Sequence, residues 1–138
     1  MGKNTKILVV DDESFMRDML KDILEKEGYV VALAPGGEEA LGVLVEQKYD
    51  IVLSDLKMPR MDGISLLKKV KQRYPDTAVV VMTGYSDAYS MKDACVSGAD
   101  EYITKPFKIN EISLIMERVR WRMLSLRNRK QVEKHLGT

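Results

Sequence analysis

The chain contains a single cysteine and a single histidine in 138 residues. With Cys95 alone, no intramolecular disulfide can form. With His135 alone, near the C-terminus, neither a histidine-built metal centre nor an internal phosphohistidine relay can be assembled. Long apolar runs are also missing. None approaches the ~18 residues that would cross a membrane, and the N-terminus lacks the apolar stretch behind basic residues of a secretory signal. A soluble, cytoplasmic protein without a membrane partner is expected. Nor does one sign of charge prevail: 22 Lys and Arg stand against 21 Asp and Glu, so net charge points to no class of partner. The distribution is uneven, with Asp11, Asp12 and Glu13 bunched at one end. Arg118, Arg120, Arg122, Arg127, Arg129, Lys130 and Lys134 crowd the other. This basic stretch has no interleaved aromatic beyond Trp121 and no recognition motif. It therefore predicts a solvated helix face and no direct nucleic-acid contact.

What is present is an alternation of short apolar runs and helical patterns. The length suits one domain that buries roughly two-thirds of the surface of its unfolded chain, with no structural metal required. Lys6 to Val10 is too short and too uniformly apolar for an amphipathic helix and predicts a buried strand. Phe15, Met16, Met19, Leu20, Ile23 and Leu24 then recur at helical spacing, and Gly28 supplies a stop. Val30 to Ala34 predicts a strand, Glu38 to Gln47 a helix, and Ile51 to Leu53 a strand running into Ser54 and Asp55. Gly63 to Tyr74 predicts a helix closed by Pro75. Ala78 to Thr83 predicts a strand, and Ser86-Asp87 a cap for a weaker helix that stops at Gly98. Tyr102 to Thr104 predicts a short last strand, and a helix starts near Ile109. Cys95 beside Ala94 and Val96, and most of the nine methionines, are expected to be buried apolar groups. Five strands alternating with five helices imply one α/β domain, a parallel sheet covered on both faces.

The last helix is long for its neighbours. A six-residue strand spans about 20 Å, while about 25 helical residues run roughly 40 Å, so the excess is expected to project beyond the sheet. Past Leu126 only Val132 and Leu136 are apolar. A coiled-coil seam and a frayed basic tail both remain open.

Sheets of this class do their chemistry at the carboxyl ends of the strands, in the crevice where strand order reverses. The polar residues of this chain sit at those ends. The first strand ends in Asp11-Asp12, the third in Asp55, the fourth in Thr83 and the fifth in Thr104-Lys105. Three carboxylates in one crevice repel one another unless a cation neutralises them, and hard oxygen donors of this kind suit Mg²⁺. Such a cation would let a phosphoryl group approach, with Lys105 and Thr83 supplying a charge and a donor to its oxygens. An aspartate alone at a strand end needs no function, since it can cap a helix or sit in a solvated loop. The joint pattern at four strand ends is what implies chemistry. Asp62-Gly63 is explained by a turn.

The segments Val9-Val10-Asp11-Asp12, Ser54-Asp55-Leu56-Lys57-Met58-Pro59 with Met61-Asp62-Gly63, Met82-Thr83-Gly84, and Gly98-Ala99-Asp100 with Tyr102 and Thr104-Lys105-Pro106-Phe107 resemble the response-regulator receiver domains of bacterial two-component signalling. The resemblance covers about residues 5 to 120. It implies a flavodoxin-like, doubly wound five-stranded parallel sheet of order 2-1-3-4-5 with an extended last helix. A receiver domain would occupy residues 1–120, and 121–138 would be a helical extension that could lead to an output domain. Asp55 would be the phosphoacceptor, supplied by a partner sensor histidine kinase. Mg²⁺ would be held by Asp12, Asp55 and the backbone carbonyl of Lys57, with Asp11 acting mainly through water. Lys105 would pair with the acceptor or its phosphate. Thr83 and Tyr102 would move together as the switch, and the Lys105-Pro106 bond would be cis. Lys57 and Tyr85 would tune the lifetime of the phosphate.

The wording around Asp55 and Thr83 is similar to that of receivers controlling sigma-54-dependent AAA+ transcription activators. The surface from Asp87 to Met116 would meet the output domain or a downstream protein, and the last helix could form a homodimer. The domain would be a signalling module rather than an enzyme, with at most self-catalysed phosphotransfer and autodephosphorylation. Two other readings stand beside it. A haloacid-dehalogenase-type Mg²⁺-dependent phosphatase also uses an aspartyl nucleophile, but it wants a second Asp two residues on, where Lys57 stands. A degenerate receiver that only binds partners would have no need of the intact acidic residues, Thr83 and Lys105.

Overall fold

The runs at 7–10, 51–53 and 78–82 form strands because each is apolar throughout, and a sheet covered on both faces buries such runs; the last strand, at 101–104, is more polar and has one buried position. The computed structural model describes residues 3–84 and 88–136. Strands β1 (Lys6–Val10), β2 (Val30–Ala34), β3 (Ile51–Asp55), β4 (Ala78–Thr83) and β5 (Glu101–Thr104) alternate with helices α1 (Ser14–Lys26), α2 (Gly37–Glu46), α3 (Gly63–Arg73), α4 (Ala88–Val96) and α5 (Ile109–Leu136). All four strand pairings are parallel, and the order is β2-β1-β3-β4-β5, as expected. Central β3 and β4 are buried at every position.

Side chains alternate between the two faces along each strand, which divides the core into two. Ile7, Val9, Ile51, Leu53, Val80 and Met82 pack with Leu20 and Leu24 of α1 and with Ile112, Met116 and Val119 of α5. Leu8, Val10, Val52, Val79 and Val81 face Ala40 and Leu44 of α2, Leu66, Leu67 and Val70 of α3, and Ala94 of α4. Gly28 follows α1 with φ of 94°, a left-handed conformation that a side chain would strain.

Several expectations change. Cys95 is exposed rather than buried, because Ala94 takes the inward position and the next residue is turned about 100° around the helix. Phe15 lies outside the packed stripe of α1 and is 76% exposed. Four methionines, Met58, Met82, Met116 and Met123, are buried as expected. The Ser86-Asp87 cap and Tyr85 lie outside the described residues.

The last helix does not simply project. Val119 and Met123 remain buried, and beyond them Arg127 pairs with Asp50 at 2.6 Å and Lys130 with Asp76 at 3.0 Å. Arg118 and Arg122 both pair with Glu101. Much of the basic face is thus matched to carboxylates at the amino ends of the strands. A groove of about 350 Å³ lies beneath, lined by Pro75, Ala78, Val119, Met123 and Leu126 among others. Among the described residues, no helix is long and apolar enough to cross a membrane.

Candidate functional site

The strand register dictates which polar residues meet. Val10 is paired with Ser54, so the residues that follow, Asp11 and Asp55, emerge at the same height at the switch point between β1 and β3. Asp55 is paired with Met82 and Thr83 with Thr104, so Thr83 and then Lys105 rise one step further along the same edge. The Lys105-Pro106 peptide is cis, as the resemblance implied.

The Lys105 ammonium lies between two carboxylates, 3.1 Å from Asp55 Oδ2 and 3.2 Å from Asp11 Oδ2. Asp11 is wholly buried and Asp55 nearly so. Burial is the main influence on Asp55 and pushes its pKa up. Lys105 pulls against that rise, while Asp11 adds to it. Burial alone would lower the pKa of Lys105, but the two carboxylates outweigh it and hold the ammonium above its ordinary value. Asp55 Oδ1 also accepts the Lys57 backbone N–H at 3.3 Å. The Thr83 hydroxyl is buried, with no hydrogen-bond partner among the described residues. An unpartnered buried polar group is costly, so a ligand that accepts from it would be favoured here.

Asp11, Asp12 and Asp55 each present a carboxylate oxygen, all within 4.8 Å of one another. This donor set fits a hard divalent cation. Metal–oxygen distances of about 2.1 Å for Mg²⁺, with retained waters, reach oxygens spread over that range. Asp11 and Asp55 share the Lys105 ammonium, and a divalent cation would supply further positive charge to the three carboxylates. Asp12 is exposed while its two partners are buried, which leaves an open approach.

Tyr102 is not among the groups brought together. It stands on β5, 41% exposed. Asp62 and Gly63 bear on the site more than a turn would require. Asp62 caps α3 by accepting the Ser65 N–H at 2.8 Å. A Cβ at Gly63 would meet Asp55 O at 2.4 Å and the Leu56 Cα at 2.5 Å. Only glycine lets α3 start this close to the end of β3. Arg17 was not legible as a site residue, yet it donates from Nη1 to the Asp11 carbonyl at 2.8 Å.

Comparison with known proteins gives one consistent family. Residues 7–117 match the response regulator receiver domain model. The chain is 40% identical over 112 residues, 81% of its length and 24% of that protein, to the DNA-binding transcriptional regulator NtrC of Salmonella typhimurium. It is 38% identical to sporulation initiation phosphotransferase F of Bacillus subtilis, covering 79% of this chain and 88% of that protein. Among solved structures, NtrX from Brucella abortus superposes with a TM-score of 0.89 at 30% identity, covering 94% of this chain and 30% of that one. The chain spans about a quarter of the length of its NtrC and AtoC relatives.

Proposed function

The chain belongs to the response regulator receiver domain family, and on that premise we propose that it is a switch of the NtrC type in which Asp55 takes a phosphoryl group from a partner histidine kinase. The observation that supports this most is the Lys105 ammonium between Asp55 and Asp11, with the Thr83 hydroxyl, unpartnered among the described residues, one strand away. An Asp55 carboxylate oxygen attacks phosphorus, the bond from phosphorus to the donor histidine nitrogen breaks, and the imidazole leaves with the bonding pair. Lys105 then transfers its attraction from the carboxylate to the phosphoryl oxygens. Thr83 donates its free hydroxyl to one of them. Mg²⁺, held by Asp12, Asp55 and the Lys57 carbonyl with Asp11 acting mainly through water, would neutralise the charge that otherwise repels the phosphate.

Phosphate on Asp55 would draw Thr83 toward it, and exposed Tyr102 would fill the space vacated, changing the surface between Asp87 and Met116. Asp87 itself lies outside the described residues. In this proposal residues 1–120 are the receiver and 121–138 lead toward an output domain that controls transcription, in keeping with its NtrC relatives, which are DNA-binding transcriptional regulators. Leu114 and Trp121, both exposed on α5, favour the last helix as a homodimer seam.

The test is intact mass after incubation with Mg²⁺ and a small phosphodonor. Wild type should gain one covalent phosphate and Asp55→Asn none. No gain on wild type, or the same gain on Asp55→Asn, would overturn the assignment.

A further inference from the structure

The end of β1 carries a support that the chemistry above does not use. Strand β1 ends at Val10 and the Asp11 N–H still donates to Ala34 O at 3.2 Å, so the Asp11 carbonyl lies just beyond the last strand position. Arg17, one turn into α1, fills that need by donating Nη1 to the Asp11 carbonyl oxygen at 2.8 Å. Its own backbone N–H donates to Glu13 O at 3.1 Å. The Asp11 side chain is held independently, with Oδ1 accepting the Glu13 N–H at 2.9 Å and Oδ2 facing Lys105.

Asp12 has no such hold. It is exposed, and its carboxylate accepts no hydrogen bond among the described residues. What orients it is the peptide plane from which it departs, and that plane contains the Asp11 carbonyl. The peptide on its other side is held by the Glu13 N–H on Asp11 Oδ1, so fixing the Asp11 carbonyl completes the backbone frame from which the Asp12 carboxylate leaves the strand.

We infer that Arg17 is a positioning residue for divalent-cation binding: by holding the Asp11-Asp12 peptide it aims the Asp12 carboxylate, without touching the cation or the phosphoryl group. The inference rests on the reading that Asp11, Asp12 and Asp55 bind Mg²⁺. A planar guanidinium suits a fixed carbonyl, whereas a lysine ammonium would offer charge with less directional hold. The alternative role is plain electrostatics. A cation beside three carboxylates competes with Mg²⁺, so its removal would tighten binding. The two roles predict opposite signs.

Titration calorimetry of the full chain with MgCl₂ separates them, with unfolding midpoints in Mg²⁺-free buffer as a control on folding. Arg17→Ala should weaken Mg²⁺ binding about tenfold, the low end for losing support behind a metal ligand, with Arg17→Lys in between and a metal-free midpoint close to that of wild type. In an Asp12→Asn background, Arg17→Ala should have little further effect, because its target is gone. Unchanged or tighter binding in Arg17→Ala overturns the inference, as does an equal loss in the Asp12→Asn background. If Arg17→Ala does not fold, Arg17→Lys carries the same comparison. Wild type that takes up no Mg²⁺ overturns the cation reading as well, while wild-type binding with an unaffected Arg17→Ala removes only the positioning role.

Discussion

The two ends of the sheet handle charge in opposite ways. At the amino end four carboxylates next to the strand starts have at least one cation each: Asp50 with Arg127, Asp76 with Lys130, Asp100 with Lys71, and Glu101 with Arg118 and Arg122. Asp50 and Asp100 are further occupied by the Lys6 and Val79 backbone N–H groups. At the carboxyl end, Asp11 and Asp55 share Lys105, Asp12 stands exposed beside them, and Thr83 has a buried hydroxyl without a described partner. Matched charges fasten α5 to the sheet. Unmatched ones leave the crevice ready for a cation and an anion that the protein does not itself supply. Both ends are built from the same residue types, and stoichiometry separates them.

Substitutions that leave the fold recognisable can break this contrast. The largest effect is expected from Gly63→Ala, because a Cβ there collides with the backbone of Asp55 and Leu56. Forcing that contact should cost about 1–3 kcal/mol in denaturant unfolding and slow phosphate uptake together. Next comes Asp50→Asn, whose single amide oxygen can keep only one of the two hydrogen bonds that the carboxylate accepts from the Lys6 N–H and Arg127. A loss of about 1 kcal/mol is expected, the net worth of the hydrogen bond that is lost. The same change at the other end should have the reverse sign. Asp12→Asn relieves repulsion from Asp11 and Asp55 and should raise stability in Mg²⁺-free buffer by on the order of a few tenths of a kcal/mol. Saturating Mg²⁺ should reverse that order, since wild type, which binds the ion more tightly, gains more from it than Asp12→Asn does. The smallest effect belongs to Lys130→Ala. Both partners of its ion pair are about two-thirds exposed, and the unfolding midpoint should not move measurably.

Much of the carboxyl end was legible because its logic is local. The central strands are apolar runs, and the polar residues that end those runs are the ones delivered to the crevice: Asp11 after Val10, Ser54-Asp55 after Leu53, Thr83 after Met82. The amino end was not legible. Arg127 meets Asp50 and Lys130 meets Asp76 across 77 and 54 residues, and nothing in the local pattern marks a surface cation that has a distant partner. The extension was therefore expected to project where it is instead fastened. Gly63 was attributed to a turn because close backbone approach leaves the same residue type as a left-handed angle. The inward side of α4 is hard to read because the helix is short and, among its described side chains, Ala94 alone is buried. The local pattern does not mark Arg17, because its acceptor is a main-chain carbonyl, which has no residue type.

The central claim is that the unmatched charge at the carboxyl end makes one particular aspartate reactive. Borohydride reduction of the protein after exposure to Mg²⁺ and a small phosphodonor converts an aspartyl phosphate to homoserine, and peptide mapping then locates it. Conversion at Asp55, absent when the phosphodonor is omitted, is the predicted result. Conversion at Asp11 or Asp12, or at no aspartate, would contradict it.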